Sequence, residues 1–206
     1  VLLPLDNHID ESDLSEGDFF PGPWSSGAYK NKQYGLPLDT NTRLLFYRKD
    51  ILSDAGLEPP ETWEELVDIA KELTIDNNGD GKIDRWGYMR EGVDPWHFGP
   101  WLWQAGGDFL NATQNGGALD SPQAKEALQF WKGLVYEHKV SPPPEKAMWT
   151  IEAMSKGKAA MGLSGPWGYN LANILFGLDL DKLGVTVLPK GPSGKNYSVV
   201  GGQDLV

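Results

Sequence analysis

The sequence predicts an α/β protein, and three observations carry that expectation. Apolar residues recur at three- and four-residue spacing in two long stretches, 62–73 and 121–135. Short apolar runs at 44–47, 158–164 and 184–188 read as strands lying between helical stretches. Gly and Pro sit at the junctions, where they stop one element before the next begins. The 206 residues suffice for one large domain or two small ones. They contain no internal repeat and no low-complexity segment.

Residues 1–33 are polar, contain Gly and Pro, and read as irregular, with aromatic spots at Phe19, Phe20 and Trp24. Residues 34–47, YGLPLDTNTRLLFY, read as one strand region, polar in its first half and continuously apolar in its second. That pattern suits a strand passing from a solvent-lined crevice into a core. Lys49 to Leu57 reads as a short helix ended by Gly56. Thr62 is placed to cap the next helix and Glu65 to complete a capping box, with Trp63, Leu66, Ile69, Ala70 and Leu73 as its buried stripe. A further helix begins at Ser121 with Pro122 in its first turn, and its stripe is Ala124, Leu128, Trp131, Leu134 and Val135. Thr150–Lys156 reads as a helix closed by Gly157, and residues 158–164 as a strand. Gly165-Pro166-Trp167 opens a helix through Leu175, and Gly184–Leu188 is a strand stopped by Pro189.

Composition narrows the function. The chain has 18 Lys and Arg against 29 Asp and Glu, a formal net charge of −11, which disfavours nucleic acid and anionic lipid. No apolar run approaches the roughly 20 residues of a membrane helix. There is no cysteine. No phosphate loop, nucleophile elbow or HExxH pattern is present, and His97 has no second ligand at metal spacing.

Nine tryptophans are the strongest compositional signal. Flat indoles outside the core can stack on the C–H faces of sugar rings while polar neighbours bind hydroxyls. Trp63 and Trp131 fall on helix stripes and read as core, Trp86 and Trp149 as packing, and Trp24 is unassigned. Residues 94–109, DPWHFGPWLWQAGGDF, carry Trp96, Trp101 and Trp103 without a charged helical face, although 101–111 reads as a helix.

Asp76-Asn77-Asn78-Gly79-Asp80-Gly81-Lys82-Ile83-Asp84 matches the first nine positions of an EF-hand loop. Side-chain oxygens fall at Asp76, Asn78, Asp80 and Asp84, Lys82 offers its carbonyl, and Gly81 permits the turn, so a structural calcium ion is expected. Gly87 stands where the bidentate Glu belongs, leaving Glu72 and Glu91 as candidate closing ligands. An Asx- and Gly-rich turn without metal is the alternative.

Five collinear blocks, LPLDTNTRLLFYRKDIL, PPETWEELVDIAKELT, WLWQAGGDFLN, KGKAAMGLSGPWGY and GVTVLPKGPSG, resemble the bacterial extracellular solute-binding proteins of ABC transporters. The likeness is to the carbohydrate-binding group that includes maltose-binding protein. It implies a two-lobed type II periplasmic-binding fold, incomplete in this chain, with lobes joined by crossing strands and closing on a sugar. By that likeness residues 1–40 are part of the first lobe and the first crossing strand. Residues 41–188 are the second lobe, and 189–206 the return crossing. It further implies that Asp39, Asn41, Trp96, Trp167, Gly202 and Gln203 face the ligand. The protein would be an extracytoplasmic monomer, periplasmic or lipid-anchored, that delivers a mono- or oligosaccharide to a membrane permease without catalysis. The chain would be a central fragment lacking a signal peptide. Two other readings are a calcium-dependent lectin or carbohydrate-binding module, and a glycosidase using two of Asp39, Asp94 and Asp108, which nothing pairs.

Overall fold

Two compact units share the chain, the first taking it through Thr42 together with Val200–Val206 and the second taking Arg43–Val199. The computed structural model describes residues 2–206.

In the first unit the opening segment is more ordered than its polar composition predicts. Helices α1 (Asp6–Asp10) and α2 (Pro21–Ser26) precede a hairpin of β1 (Ala28–Tyr29) and β2 (Lys32–Gln33). Lys30 and Asn31 turn that hairpin at φ 49° and 59°, the left-handed pair that matches strand twist. Phe19 stacks on Trp24 at 5.2 Å, which gives that tryptophan a packing role. The continuous strand expected over 34–47 is broken instead. β3 (Leu36–Pro37) pairs antiparallel with Asp204–Leu205, and β4 (Asn41–Thr42) pairs antiparallel with Val200–Gly201. Between them the N–H groups of Leu38 and Asp39 both turn to the Gln203 carbonyl, at 2.8 and 3.4 Å, and leave the ladder.

The second unit is built on a mixed four-stranded sheet. β5 (Leu44–Arg48) lies between β7 (Ala159–Ser164) and β8 (Leu183–Thr186), antiparallel to both, while β6 (Trp86–Met89) runs parallel to β7 at the edge. Leu45 and Phe46 are both buried but pack into different clusters, one on each face of the sheet. Coverage on both faces explains why β5 reads as continuously apolar rather than alternating.

Helices supply that coverage. α3 (Lys49–Asp54) follows β5 directly, and Gly56 beyond it takes φ 70°. α4 (Trp63–Leu73) is capped by Thr62, whose Oγ1 accepts from the Glu65 N–H at 3.2 Å. The reciprocal half of the expected box is shifted by one residue, since Glu65 Oε2 accepts from the Glu61 N–H at 2.7 Å. Its buried stripe is Trp63, Leu66, Val67, Ala70 and Leu73, with Ile69 at the margin. α5 (Pro95–Gln104) covers most of the tryptophan-rich stretch, capped by Asp94, with Trp101 and Leu102 buried. α6 (Pro122–Tyr136) is capped by Ser121 and buries Ala124, Ala127, Trp131, Leu134 and Val135. Leu128, expected in that stripe, is 52% exposed, because the stripe swings toward Ala127 and Leu134 and leaves it at the margin. α7 (Thr150–Ser155) and α8 (Trp167–Ile174) complete the set. Trp149, just before α7, is 63% exposed rather than packed.

One buried amide joins three parts of the second unit. Gln104, at the end of α5, is fully buried, its Oε1 accepting from Trp63 Nε1 at 2.7 Å and its Nε2 donating to the Tyr197 carbonyl at 2.6 Å. Trp63 stacks on Phe130 at 4.0 Å and meets Trp101 edge-on at 5.8 Å, so the amide pins the centre of an aromatic cluster.

Gln104→Leu keeps the volume but leaves the buried Trp63 N–H unpaired. It is expected to cost about 1–3 kcal/mol of stability, read as a lowered denaturation midpoint in urea; an unchanged midpoint would remove the amide from this role.

Candidate functional site

Of the predicted ligand residues in the second unit, Trp167 has the most built surroundings. It is the first residue of α8 and remains 42% exposed. Its ring lies so close over Gly165 that a Cβ there would stand 2.1 Å from it. The Arg43 guanidinium carbon lies 5.9 Å from the ring centroid. These contacts restrain the ring while part of it stays exposed. Trp96 sits half-buried in the first turn of α5, one residue before His97.

Sequence reasoning missed Arg43 and did not read a role for His97, yet these two join the site together. Arg43 is 4% exposed, immediately before β5. Its Nη1 donates to Glu91 Oε2 at 3.4 Å and to the Leu163 carbonyl at 3.3 Å, and its Nη2 lies 2.5 Å from His97 Nε2. A guanidinium only donates, so the network assigns His97 Nε2 as acceptor and puts the ring proton on Nδ1. That nitrogen faces the Asp94 carboxylate at 2.9 Å, and Asp94 also caps α5 through the His97 N–H. Glu91 in turn accepts from the Thr150 N–H at the start of α7. Burial alone raises the Glu91 carboxyl, but the Thr150 N–H and the Arg43 guanidinium outweigh it and hold it below the usual carboxylate range. Burial likewise opposes the His97 contacts at Asp94, which lower its carboxyl overall. The only sequence signal for this cluster was a charged residue standing at the mouth of an apolar strand.

The other four predicted ligand residues lie together in the first unit. Asn41 stands opposite Gly201 in the β4 pairing, next to Gly202 and Gln203. The Asp39 Oδ1 atom accepts from the Gln203 N–H at 2.9 Å, so one carboxylate oxygen has a structural partner. Gly202 also has a backbone reason to be glycine. Its φ is 150°, and a Cβ there would lie 2.3 Å from the Asp39 carbonyl oxygen.

In the loop 76–84 the expected ligand oxygens are turned to the loop's own backbone. Asp76 accepts from the N–H groups of Gly79 and Gly81, both at 2.8 Å, and those bonds lower its carboxyl. Asn78 Oδ1 accepts from Asp80, Asp80 Oδ1 from Lys82, and Asp84 Oδ2 from Asn77. Among the described residues no three Asp, Glu, His or Cys side chains gather closely enough to share an ion. The loop is closed by these internal hydrogen bonds. Glu91 is also removed as a closing ligand, because it is committed to Arg43 and Thr150.

The sequence profile of the family described as bacterial extracellular solute-binding protein matches residues 2–206. A galactooligosaccharide-binding protein of Bacillus subtilis is 30% identical over 182 residues, 81% of this chain and 39% of its own length. An ABC transporter-binding protein of Deinococcus radiodurans is 26% identical over 99% of this chain and 49% of its own length. Among solved structures, maltose-bound MalE3 of T. maritima superposes with a TM-score of 0.80 at 31% identity, covering 98% of this chain and 52% of that one. The α/β fold expected from the sequence is the fold of these structures. The chain spans about half the length of the relatives it matches.

The lowered Glu91 carboxyl fixes a sign for pH dependence. Its stabilisation is present in full above the unfolded value near 4.5 and is lost as pH falls through the lower folded value. Glu91→Gln is therefore expected to flatten the stability–pH curve below pH 4.5, and to cost about 3–5 kcal/mol at neutral pH by leaving the buried Arg43 uncompensated. Urea unfolding between pH 3 and 7 measures both; parallel curves for variant and wild type would exclude Glu91 as the titrating group.

Proposed function

Because the chain belongs to the bacterial extracellular solute-binding protein family, we propose that it contributes the sugar-holding surface of an ABC-transporter binding protein. The ligand is a neutral mono- or oligosaccharide, and the protein delivers it to a membrane permease. The single observation that carries this reading is Trp167, an exposed indole set over Gly165 and beside Arg43. Such a plane suits the C–H face of a pyranose, and the neighbouring charged groups suit its hydroxyls. Trp96, Asp39, Asn41, Gly202 and Gln203 are the further ligand-facing residues of the proposal. Binding without catalysis is favoured because the relatives above are binding proteins. The carboxylates Asp39 and Asp94 also hold structural partners. An extracytoplasmic location follows from the family, and among the described residues no helix is long and apolar enough to cross a membrane.

Calorimetry of the full-length protein against glucose, maltose, maltotriose, galactooligosaccharides and arabinooligosaccharides tests the reading. Heat is expected with at least one, and Trp167→Ala is expected to weaken that binding by about tenfold. Silence across the panel would sink the sugar reading, and unchanged affinity in the variant would make Trp167 a packing residue.

The odd-numbered oxygens of 76–84 support a separate proposal, a structural calcium ion. Stripping metal with EDTA should then lower the melting temperature and added calcium should restore it. Identical melts with and without calcium would leave the loop as a turn held by its own hydrogen bonds.

A further inference from the structure

A hollow on Arg43–Val199 is lined by residues outside the predicted ligand set. It is an open depression of about 430 Å3 lined by Trp103, Gly106, Gly107, Asp108, Tyr197 and Ser198. That volume falls within the roughly 300–1,000 Å3 of small-molecule sites. Its two aromatic rings differ in how they are held. Trp103 is half-buried, with its ring folded back along α5 over Gly99, where a Cβ would stand 2.9 Å from it, and with Phe109 meeting it edge-on at 5.7 Å. Its Nε1 donates to Asp108 Oδ1 at 3.2 Å, which fixes the ring plane. Tyr197 is 52% exposed, while its backbone carbonyl is anchored by the fully buried Gln104. Gly106 ends α5 with φ 82° and turns the chain so that Asp108 reaches the same hollow.

Two aromatic faces, a carboxylate acceptor and a backbone locked by a buried amide form a preorganised arrangement. Its chemistry suits a sugar ring, with C–H faces against Trp103 or Tyr197 and hydroxyls donating to Asp108. The carboxylate disfavours an acidic sugar. Position adds the second element of the argument. Trp96 and Trp103 are seven residues apart on α5, close to two full turns, and so stand on one face about 10.5 Å apart along the axis.

We propose that the Trp103–Tyr197 hollow is an additional pyranose subsite, continuing along α5 from Trp96, so that the ligand is a neutral oligosaccharide rather than a monosaccharide. This rests on the sugar-binding reading above and extends it to residues outside the predicted set.

The test compares chain lengths. The full-length protein is titrated with maltose, maltotriose and maltotetraose, and with galactooligosaccharides and arabinooligosaccharides of matched length. Wild type, Tyr197→Ala, Asp108→Asn and Trp167→Ala are compared, with circular dichroism melts confirming that each variant folds. Tyr197 carries the main test because its exposed ring can be removed with the least loss of packing. The expected result is affinity that rises with length in wild type, and a loss of roughly five- to tenfold for the longest bound saccharide in Tyr197→Ala. The shortest bound saccharide should stay within about twofold of wild type in that variant. If Tyr197→Ala and Asp108→Asn match wild type at every length while Trp167→Ala has lost affinity, the extra subsite is overturned and the sugar-binding function stands. If wild-type affinity does not rise with length, the subsite also falls. If no saccharide binds wild type, both readings fail together.

Discussion

A guanidinium buried to 4% exposure cannot be left without partners, and the candidate site is arranged around that constraint at Arg43. Arg43 reaches the Leu163 carbonyl on β7, the Glu91 carboxylate beyond β6 and the His97 ring on α5. Glu91 passes the connection to the first N–H of α7, and Asp94 closes it at the start of α5. Trp167 stands over the same guanidinium. One cation thereby sets the positions of two helix starts, a strand carbonyl and an exposed indole. The Arg43 Nε atom is buried without a hydrogen-bond partner among the described residues, so the cluster compensates the charge more fully than it satisfies every donor.

A second, neutral constraint acts at the far end of α5. Gln104 has no exposed surface, and its amide divides between the Trp63 indole and the Tyr197 carbonyl. The helix between these two anchors carries Trp96 and Trp103 on one face and buries Trp101 on another. Both ends of α5 are thereby tied to other elements of the second unit.

Much of the second unit was legible in the sequence. The Thr62 and Ser121 caps, the Gly56 and Gly157 stops and the buried stripes containing Trp63 and Trp131 all depend on neighbours within a few residues, and short-range spacing reports them directly. The collinear blocks also pointed to the family that the profile match shows. Errors arose where distant chain segments compete for the same backbone. The strand expected over 34–47 breaks because the Leu38 and Asp39 N–H groups bond to Gln203, far away in sequence. Leu128 fits the α6 period but lies at the edge of what α6 packs against. The backbone requirement for glycine at position 202, set by its φ and the nearby Asp39 carbonyl, has no signal in the adjacent sequence.

The sequence by itself determined the α/β class, the caps and stops of the main helices, and which tryptophans line helix stripes. Those features follow from local periodicity and from the conformational limits of single residues. Only the tertiary structure decided that Arg43, Glu91, Asp94 and His97 form one network beside Trp167, and that Trp103 shares a hollow with Tyr197. These groups come from separate elements, from residue 43 to residue 197, and no spacing along the chain encodes which of them meet. Their meeting is set by the packing of helices on a sheet covered on both faces, where a buried charge or amide must find a partner wherever the fold brings one.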